Sequence, residues 1–235
     1  MTATAPGLRL PEQGALIVFC GIDGSGKTTQ IARLAEHLRP RYPVLLTCQP
    51  TPAIRSDPLV RAYLDEADGA EPNRAAVIGP EIGLVAAADS YRHVRTEVVP
   101  RMQDGYVVLS DRYVFTNLAY AGPRGLAPVE WVRQINRYTP DPDLTLYLDV
   151  PAAVALSRIR SRGDAPTWEE QDPGRMEAIR TAFREQPWGA SPAYLVLDGT
   201  QPPDTLAAQI AELAEDLLRR KGVRPIDRHR DEVAS

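Results

Sequence analysis

From Gly21 to Thr29 the chain reads GIDGSGKTT, the spacing G-x-x-x-x-G-K-T with a second threonine behind it. Glycines at these positions let the backbone turn so that successive N–H groups converge, and convergent N–H groups hold phosphate oxygens. Gly21, Ile22, Asp23, Gly24, Ser25, Gly26, Lys27, Thr28 and Thr29 therefore form a candidate phosphate cradle. Lys27 is placed to span the β- and γ-phosphates of a nucleoside triphosphate, and the hydroxyl of Thr28 to ligate Mg²⁺. Asp111 closes the apolar run YVVLS and matches the carboxylate that such a site needs near the metal and its water. Arg112 beside it has the planar fork that grips a phosphate of a second substrate. Arg158, Arg160 and Arg162 follow in ALSRIRSRG. They read either as a solvated basic helix end that complements the helix dipole, or as the cations of a lid that neutralises charge on a transferred phosphoryl group and excludes water. The lid is the reading carried forward. Together these residues fit phosphoryl transfer from ATP with Mg²⁺. No guanine-reading N-K-x-D tetrad occurs, which argues against a GTPase, and 235 residues are few for a motor ATPase.

The elements that must position these residues alternate between short apolar runs and helical patterns, as βαβ units do. Strands are expected at 16–20, 43–48, 106–110, 144–149 and 194–198. Helices are expected at 27–39, 54–66, roughly 73–102 with interruptions near Pro80, 114–122, 128–138, 152–162, 173–186 and 202–220. The fold class that results is a three-layer α/β/α P-loop fold with a five-stranded parallel sheet and an arginine-bearing lid at about 158–175. One domain is expected over 15–222, between a flexible leader at 1–14 and a charged tail at 223–235. In the last helix Leu206, Ile210, Leu213, Leu217 and Leu218 recur at helical spacing and read as packing.

The chain is 43% hydrophobic and carries a net charge of −4, which does not favour nucleic acid or a membrane surface as partner. It has no apolar run of about 18 residues and no apolar core of signal-peptide length near its start, so a cytoplasmic location is expected. Its two cysteines, Cys20 and Cys48, each end an expected strand and read as small buried thiols. His37, His93 and His229 have no metal-ligand spacing.

With FCGIDGSGKTTQ, SDRYVFTNLAY followed by RGL, PDLTLYLDV and SRIRSRG in this order, the chain resembles the thymidylate kinases over about 15 to 220. These are nucleoside-monophosphate kinases that make dTDP from dTMP and ATP. The resemblance implies that Asp23 contacts the acceptor's sugar hydroxyl or its phosphate with Mg²⁺, that Arg112 grips the acceptor phosphate, and that Asp111 serves the metal. It implies base contacts at Thr116 and Asn117, further acceptor positions at Arg55, Ala86, Ser90 and Tyr120, and a homodimer built on helices. Ser25 stands where some members carry a loop arginine. Without that arginine the resemblance is to the bacterial-type arrangement, which uses lid arginines for charge stabilisation, and this gives Arg158, Arg160 and Arg162 more weight.

Several positions depart from the family pattern. R-E-P after the second strand becomes Cys48-Gln49-Pro50, and the glutamate usual before the first loop glycine is Cys20. In the family's A-D-R-x-x-H the arginine reads the thymine carbonyl; here the string is Ala88-Asp89-Ser90-Tyr91-Arg92-His93, and the stacking phenylalanine one turn earlier is Ala86. The expected acceptor is dTMP or a modified or related nucleotide. In the lid segment Trp168, Glu169 and Glu170 are open between a role over the site and a solvated face. Two other readings stay open: a kinase that phosphorylates a nucleoside hydroxyl, which the glutamine at position 49 weakens, and a nucleotide-binding paralogue without catalysis.

Overall fold

The computed structural model describes residues 8–61, 74–163, 167, 170–185 and 193–226. Its elements are β1 (Ala15–Cys20), α1 (Lys27–Leu38), β2 (Val44–Cys48), α2 (Arg74–His93), α3 (Val99–Gln103), β3 (Val107–Asp111), α4 (Val114–Ala121), α5 (Val129–Ile135), β4 (Leu144–Asp149), α6 (Ala152–Arg162), α7 (Pro173–Glu185), β5 (Tyr194–Asp198) and α8 (Pro203–Lys221). The five strands form one parallel sheet in the order β2-β3-β1-β4-β5.

All six residues of β1 are buried, because a central parallel strand is covered on both faces. Its alternation divides the core. Leu16, Val18 and Cys20 pack with α4, α6 and α7 on one face. Ala15, Ile17 and Phe19 pack with α1 and α8 on the other. The edge strands β2 and β5 expose Leu46 and Val196.

From β1 the chain crosses to β2 over β3, and from β3 it crosses to β4 over β1. The connections therefore part between β1 and β3, and a crevice opens at the carboxyl ends of those strands. Phe19 pairs with Asp111 across that point. Both chemical segments of the sequence, 21–29 and 111–112, emerge there.

Every expected strand is present, with ends moved by at most one residue. The long helix differs in form. Pro80 lies within α2 on an exposed face and does not interrupt it. The irregularity comes later, as a π-helical turn at Val94–Val98. There the Thr96 hydroxyl donates to the carbonyl of Arg92 at 2.8 Å, an alternative partner that loosens the helical ladder. The helix expected at 54–66 begins as a 3₁₀ turn at Ile54–Ser56, and its second half lies outside the described residues. Among the described residues no helix is long and apolar enough to cross a membrane.

Two glycines let α2 lie close to the α4–α5 connection. A Cβ on Gly79 would lie 1.9 Å from the carbonyl oxygen of Leu126, and one on Gly83 would lie 2.8 Å from Cζ3 of Trp131. Gly79→Ala should destabilise the protein by about 1–3 kcal/mol in a denaturant titration, although alanine gains about 1 kcal/mol of helix propensity over glycine.

Candidate active site

The phosphate loop bridges β1 and α1. Gly26, with φ 97°, is the N-cap of α1, and a Cβ there would meet nothing within 4 Å, so the loop face is open to a ligand. Gly24, with φ 78°, backs onto α6, where a Cβ would lie 2.4 Å from the Ala155 carbonyl oxygen. Lys27 is buried at the first position of α1 and donates to the carbonyls of Gly21 (3.0 Å) and Ile22 (3.1 Å). Asp23 lies 3.8 Å from its Nζ. Burial, then the charge of Arg112, pushes the Lys27 ammonium down to about 8.

Arg112 follows β3 with φ 68°, the one non-glycine residue with positive φ among those described. Its N–H donates to the Phe19 carbonyl at 2.8 Å, and its own carbonyl accepts from the Ser110 hydroxyl at 2.8 Å. The guanidinium donates through Nη2 to Asp23 Oδ1 and through Nη1 to the Tyr120 hydroxyl at 3.2 Å. It also lies 5.5 Å from the Tyr120 ring centroid, and the Arg124 guanidinium lies 4.6 Å from the same ring. Burial raises the Asp23 carboxyl, but Arg112 and Lys27 outweigh burial and hold it below the usual range.

A cleft of about 710 Å³ opens on this cluster. Asp23 to Gln30, Asp111, Arg112, Arg158 and Arg162 line it, together with Gly199, Gln201, Pro203 and Leu206. Asp111 Oδ1 is buried without a hydrogen-bond partner, and so is Ser25 Oγ. Among the described residues no group of three or more His, Cys, Asp or Glu is placed to hold a metal ion. A cation in the cleft would therefore take most of its ligands from phosphate oxygens and water, as Mg²⁺ does.

The three lid arginines separate. Arg158 and Arg162, four apart on α6, share the face that lines the cleft. Arg160 is exposed and does not line it. Arg158 donates to the carbonyls of Gly24 (3.4 Å) and Gly199 (3.0 Å), joining the phosphate loop to the loop after β5. Thr167 and Glu170 also line the cleft, with the Thr167 N–H donating to Glu170 Oε2 at 2.6 Å, whereas Trp168 and Glu169 lie outside the described residues.

Of the expected acceptor positions, Asp23 and Arg112 line this cleft, and those on α2 and α4 do not. Thr116 and Tyr120 are buried on α4, and Asn117 there is half-buried. Ala86 is half-buried and Ser90 buried on α2. Arg55 belongs to the 3₁₀ turn after β2, and its side chain lies outside the described residues. Cys20 is fully buried, and burial pushes its thiol up to about 12.

Sequence reasoning missed the group that anchors α7. Asp149, the last residue of β4, accepts a fork from Arg180, at 2.6 Å from Nε and 3.2 Å from Nη2. Arg180 Nη1 donates to Glu177 at 2.6 Å, and the other Glu177 oxygen accepts from the Ala152 N–H at 3.2 Å, at the start of α6. The helices on either side of the lid segment are thus clamped to one strand end. The available signal was Asp149 itself, which ends an apolar strand as Asp111 does.

Fold and loop together define a phosphotransferase of the P-loop class. The thymidylate kinase family model matches residues 19–210. A protein of Pyrobaculum aerophilum named "Probable thymidylate kinase" is 35% identical over 208 residues, 88% of this chain and 100% of its own. One of the same name from Thermococcus kodakarensis is 39% identical over 206 residues, 86% of this chain and 98% of its own. Another from Pyrococcus horikoshii is 41% identical over 154 residues, 64% and 72% respectively. The chain belongs to the thymidylate kinase family and is a nucleoside-monophosphate kinase; this membership does not favour the hydroxyl-kinase and non-catalytic readings.

Arg180→Ala should lower stability by about 1.5–3 kcal/mol in denaturant, the scale of a lost charged hydrogen bond with a partner left behind. It should also reduce kcat, because α6 carries Arg158 and Arg162. Unchanged stability and kcat would show that the clamp is idle.

Proposed function

We propose that this protein transfers the γ-phosphoryl group of ATP to dTMP, with Mg²⁺, and acts as a homodimer in the cytoplasm. The observation that carries the reading is the opposition of Lys27 and Arg112 across Asp23 at the ends of β1 and β3. One cation faces the donor cleft, and the other comes from the strand next to the β2 exit, so two phosphates can be brought end to end. Gln201, Pro203 and Leu206 in the cleft lining offer the donor's base an amide and apolar surface. The names of the relatives support dTMP as acceptor.

In this reading donor phosphates take the place of the Gly21 and Ile22 carbonyls as partners of Lys27. Arg112 turns its fork from Asp23 to the acceptor phosphate, and Tyr120 keeps the guanidinium from swinging away. Arg158 and Arg162 close the cleft from α6 and, with Lys27, neutralise charge on the transferred group. Positioning and charge are the catalysis here, since phosphoryl transfer asks little covalent chemistry of the protein. Thr28 and the unpartnered Oδ1 of Asp111 would hold Mg²⁺, which when bound offsets the negative charge of the donor phosphates. Cys20 and Cys48 are not joined in a disulfide, which suits a reducing compartment.

ADP release measured across dTMP, dUMP, dCMP and thymidine tests the reading. Turnover should be highest with dTMP. Turnover on thymidine but not dTMP would make this a hydroxyl kinase, and no ADP release with any acceptor would overturn catalysis altogether. Lys27→Ala should cut kcat by about 10²–10³. Arg112→Ala should raise the acceptor KM by about 10–100-fold, the equivalent of losing a charge-assisted hydrogen bond. An unchanged acceptor KM would remove Arg112 from the clamp.

The homodimer is supported by an exposed apolar stripe on α2, formed by Leu84 (52% exposed), Ala88 and Tyr91 at helical spacing. Wild type should run in light scattering at twice the chain mass of 25.8 kDa, and Leu84→Arg at the single mass. A wild-type monomer would refute the dimer.

A further inference from the structure

Two side chains of α2 tie that helix to the strand end beside Arg112. Asp89 accepts the N–H of Thr51 at 2.8 Å and its hydroxyl at 2.5 Å. His93, 4% exposed, receives the Nε2–H of Gln49 on its Nδ1 at 3.0 Å. An Nδ1 that accepts makes the ring a neutral imidazole with its proton on Nε2. That Nε2 lies 2.7 Å from Thr47 Oγ1 and 3.1 Å from Glu97 Oε2. The same Gln49 nitrogen also reaches the Ser90 carbonyl at 3.5 Å.

The strand end held in this way adjoins the transfer centre. The backbone N–H of Gln49 donates to the Asp111 carbonyl at 3.0 Å, one residue before Arg112. A shift of residues 47–51 is therefore passed to the backbone that sets Arg112. The π-helical turn begins directly after His93, so the helix is at its most yielding where it meets this strand end.

We propose that His93, in its neutral form, is a positioning residue for the acceptor: it locks residues 47–51 against α2, and a proton on Nδ1 opens the lock and weakens acceptor binding. The inference rests on the acceptor side assigned under the proposed function. On protonation Nδ1–H and the Gln49 amide N–H face each other as two donors. The amide can answer only by turning over. That gives up its contact with the Ser90 carbonyl and puts its NH₂ where Oε1 now lies buried without a partner. The charged groups that face the ring are Glu97 and Asp89, both on its own chain segment. β2 and its exit bring Thr47 and Gln49, which carry no charge. Burial favours the neutral ring and outweighs the pull of both carboxylates, so His93 takes up its proton below the ordinary 6.5.

The test combines kinetics from about pH 5.5 to 8 with proton NMR of the histidine ring signals, on wild type, His93→Asn and Gln49→Glu. In wild type the His93 signal should titrate below 6.5, and the KM for dTMP should rise about five- to tenfold through that titration, the scale of one lost hydrogen bond. The KM for ATP should stay level. In His93→Asn, Oδ1 stands in for Nδ1 without titrating, so the acceptor profile should keep only the slope due to dTMP's own phosphate. Gln49→Glu sets a carboxylate against the ring and should move the His93 titration above 6.5. The proposal falls if His93 titrates at 6.5 or higher in wild type, if wild type and His93→Asn share one profile, or if both KM values move together. A protein that turns over no dTMP at any pH refutes the acceptor assignment instead, and the NMR titrations of wild type and Gln49→Glu then still decide whether the lock exists.

Discussion

The site depends on one backbone turn. Arg112 holds φ 68°, a conformation that costs a residue with a Cβ about 1–2 kcal/mol. It persists because the neighbours leave little choice: the N–H is fixed to Phe19 on β1, and the carbonyl is fixed by Ser110. An extended continuation of β3 would keep the strand's alternation and direct the next side chains away from β1. The turn breaks that alternation, so the guanidinium comes back over the phosphate loop to Asp23. Tyr113 then N-caps α4 at once, which brings Tyr120 round beneath the same guanidinium. Asp111, left at the last paired position of the strand, keeps its carboxylate at the mouth of the cleft. Three side chains, those of Asp111, Arg112 and Tyr120, are placed around this single change of direction.

Strand ends of a central sheet are rigid, and the helices that surround them are less so. On each side of Arg112 a polar group joins a helix to a strand end. Asp149 and Glu177 join α6 and α7 to β4. Asp89 and His93 join α2 to the exit of β2. The first joint controls the wall that carries Arg158 and Arg162, and the second the wall opposite. The second is the more deeply buried, with Gln49, Asp89 and His93 shielded from water, so its bonds act in a medium of low dielectric where loss of one partner is costly. Between the two walls, the backbone that carries Arg112 is held to β1 by the sheet itself.

Much of this could be read from the residues themselves. Continuous apolar runs of five or six residues bounded by turn formers located all five strands, because buried parallel strands need no alternation. The phosphate loop was legible for a similar reason, since its backbone geometry admits few sequences. Side-chain direction was less accessible. Arg158, Arg160 and Arg162 look equivalent in the sequence, yet the 100° step of a helix gives two of them to the cleft and turns the third to solvent. The Asp149–Arg180–Glu177 clamp joins residues some 30 apart, and nothing local marks the partners. Pro80 misled through its usual effect on helices, whereas the irregularity lies at Val94–Val98, where the Thr96 hydroxyl bonds the Arg92 carbonyl and no proline marks the place.

Two of the departures from the family pattern share a physical direction. A glutamate before Gly21 would put a third carboxylate against Lys27 and Arg112, beside Asp23 and Asp111. Cys20 puts a thiol there, and burial keeps it protonated and uncharged. At position 49 an amide likewise replaces a carboxylate, and its partner His93 is neutral rather than cationic. Both changes remove a fixed anion from around the transfer centre. Burial and the charge of Arg112 push the Lys27 ammonium down to about 8, with Asp23 and Asp111 the carboxylates that oppose them. A polyphosphate entering the cleft supplies what the walls lack. It brings negative charge to the place where the two cations repel each other, restores the proton affinity of Lys27, and gives its Nζ better partners than two loop carbonyls.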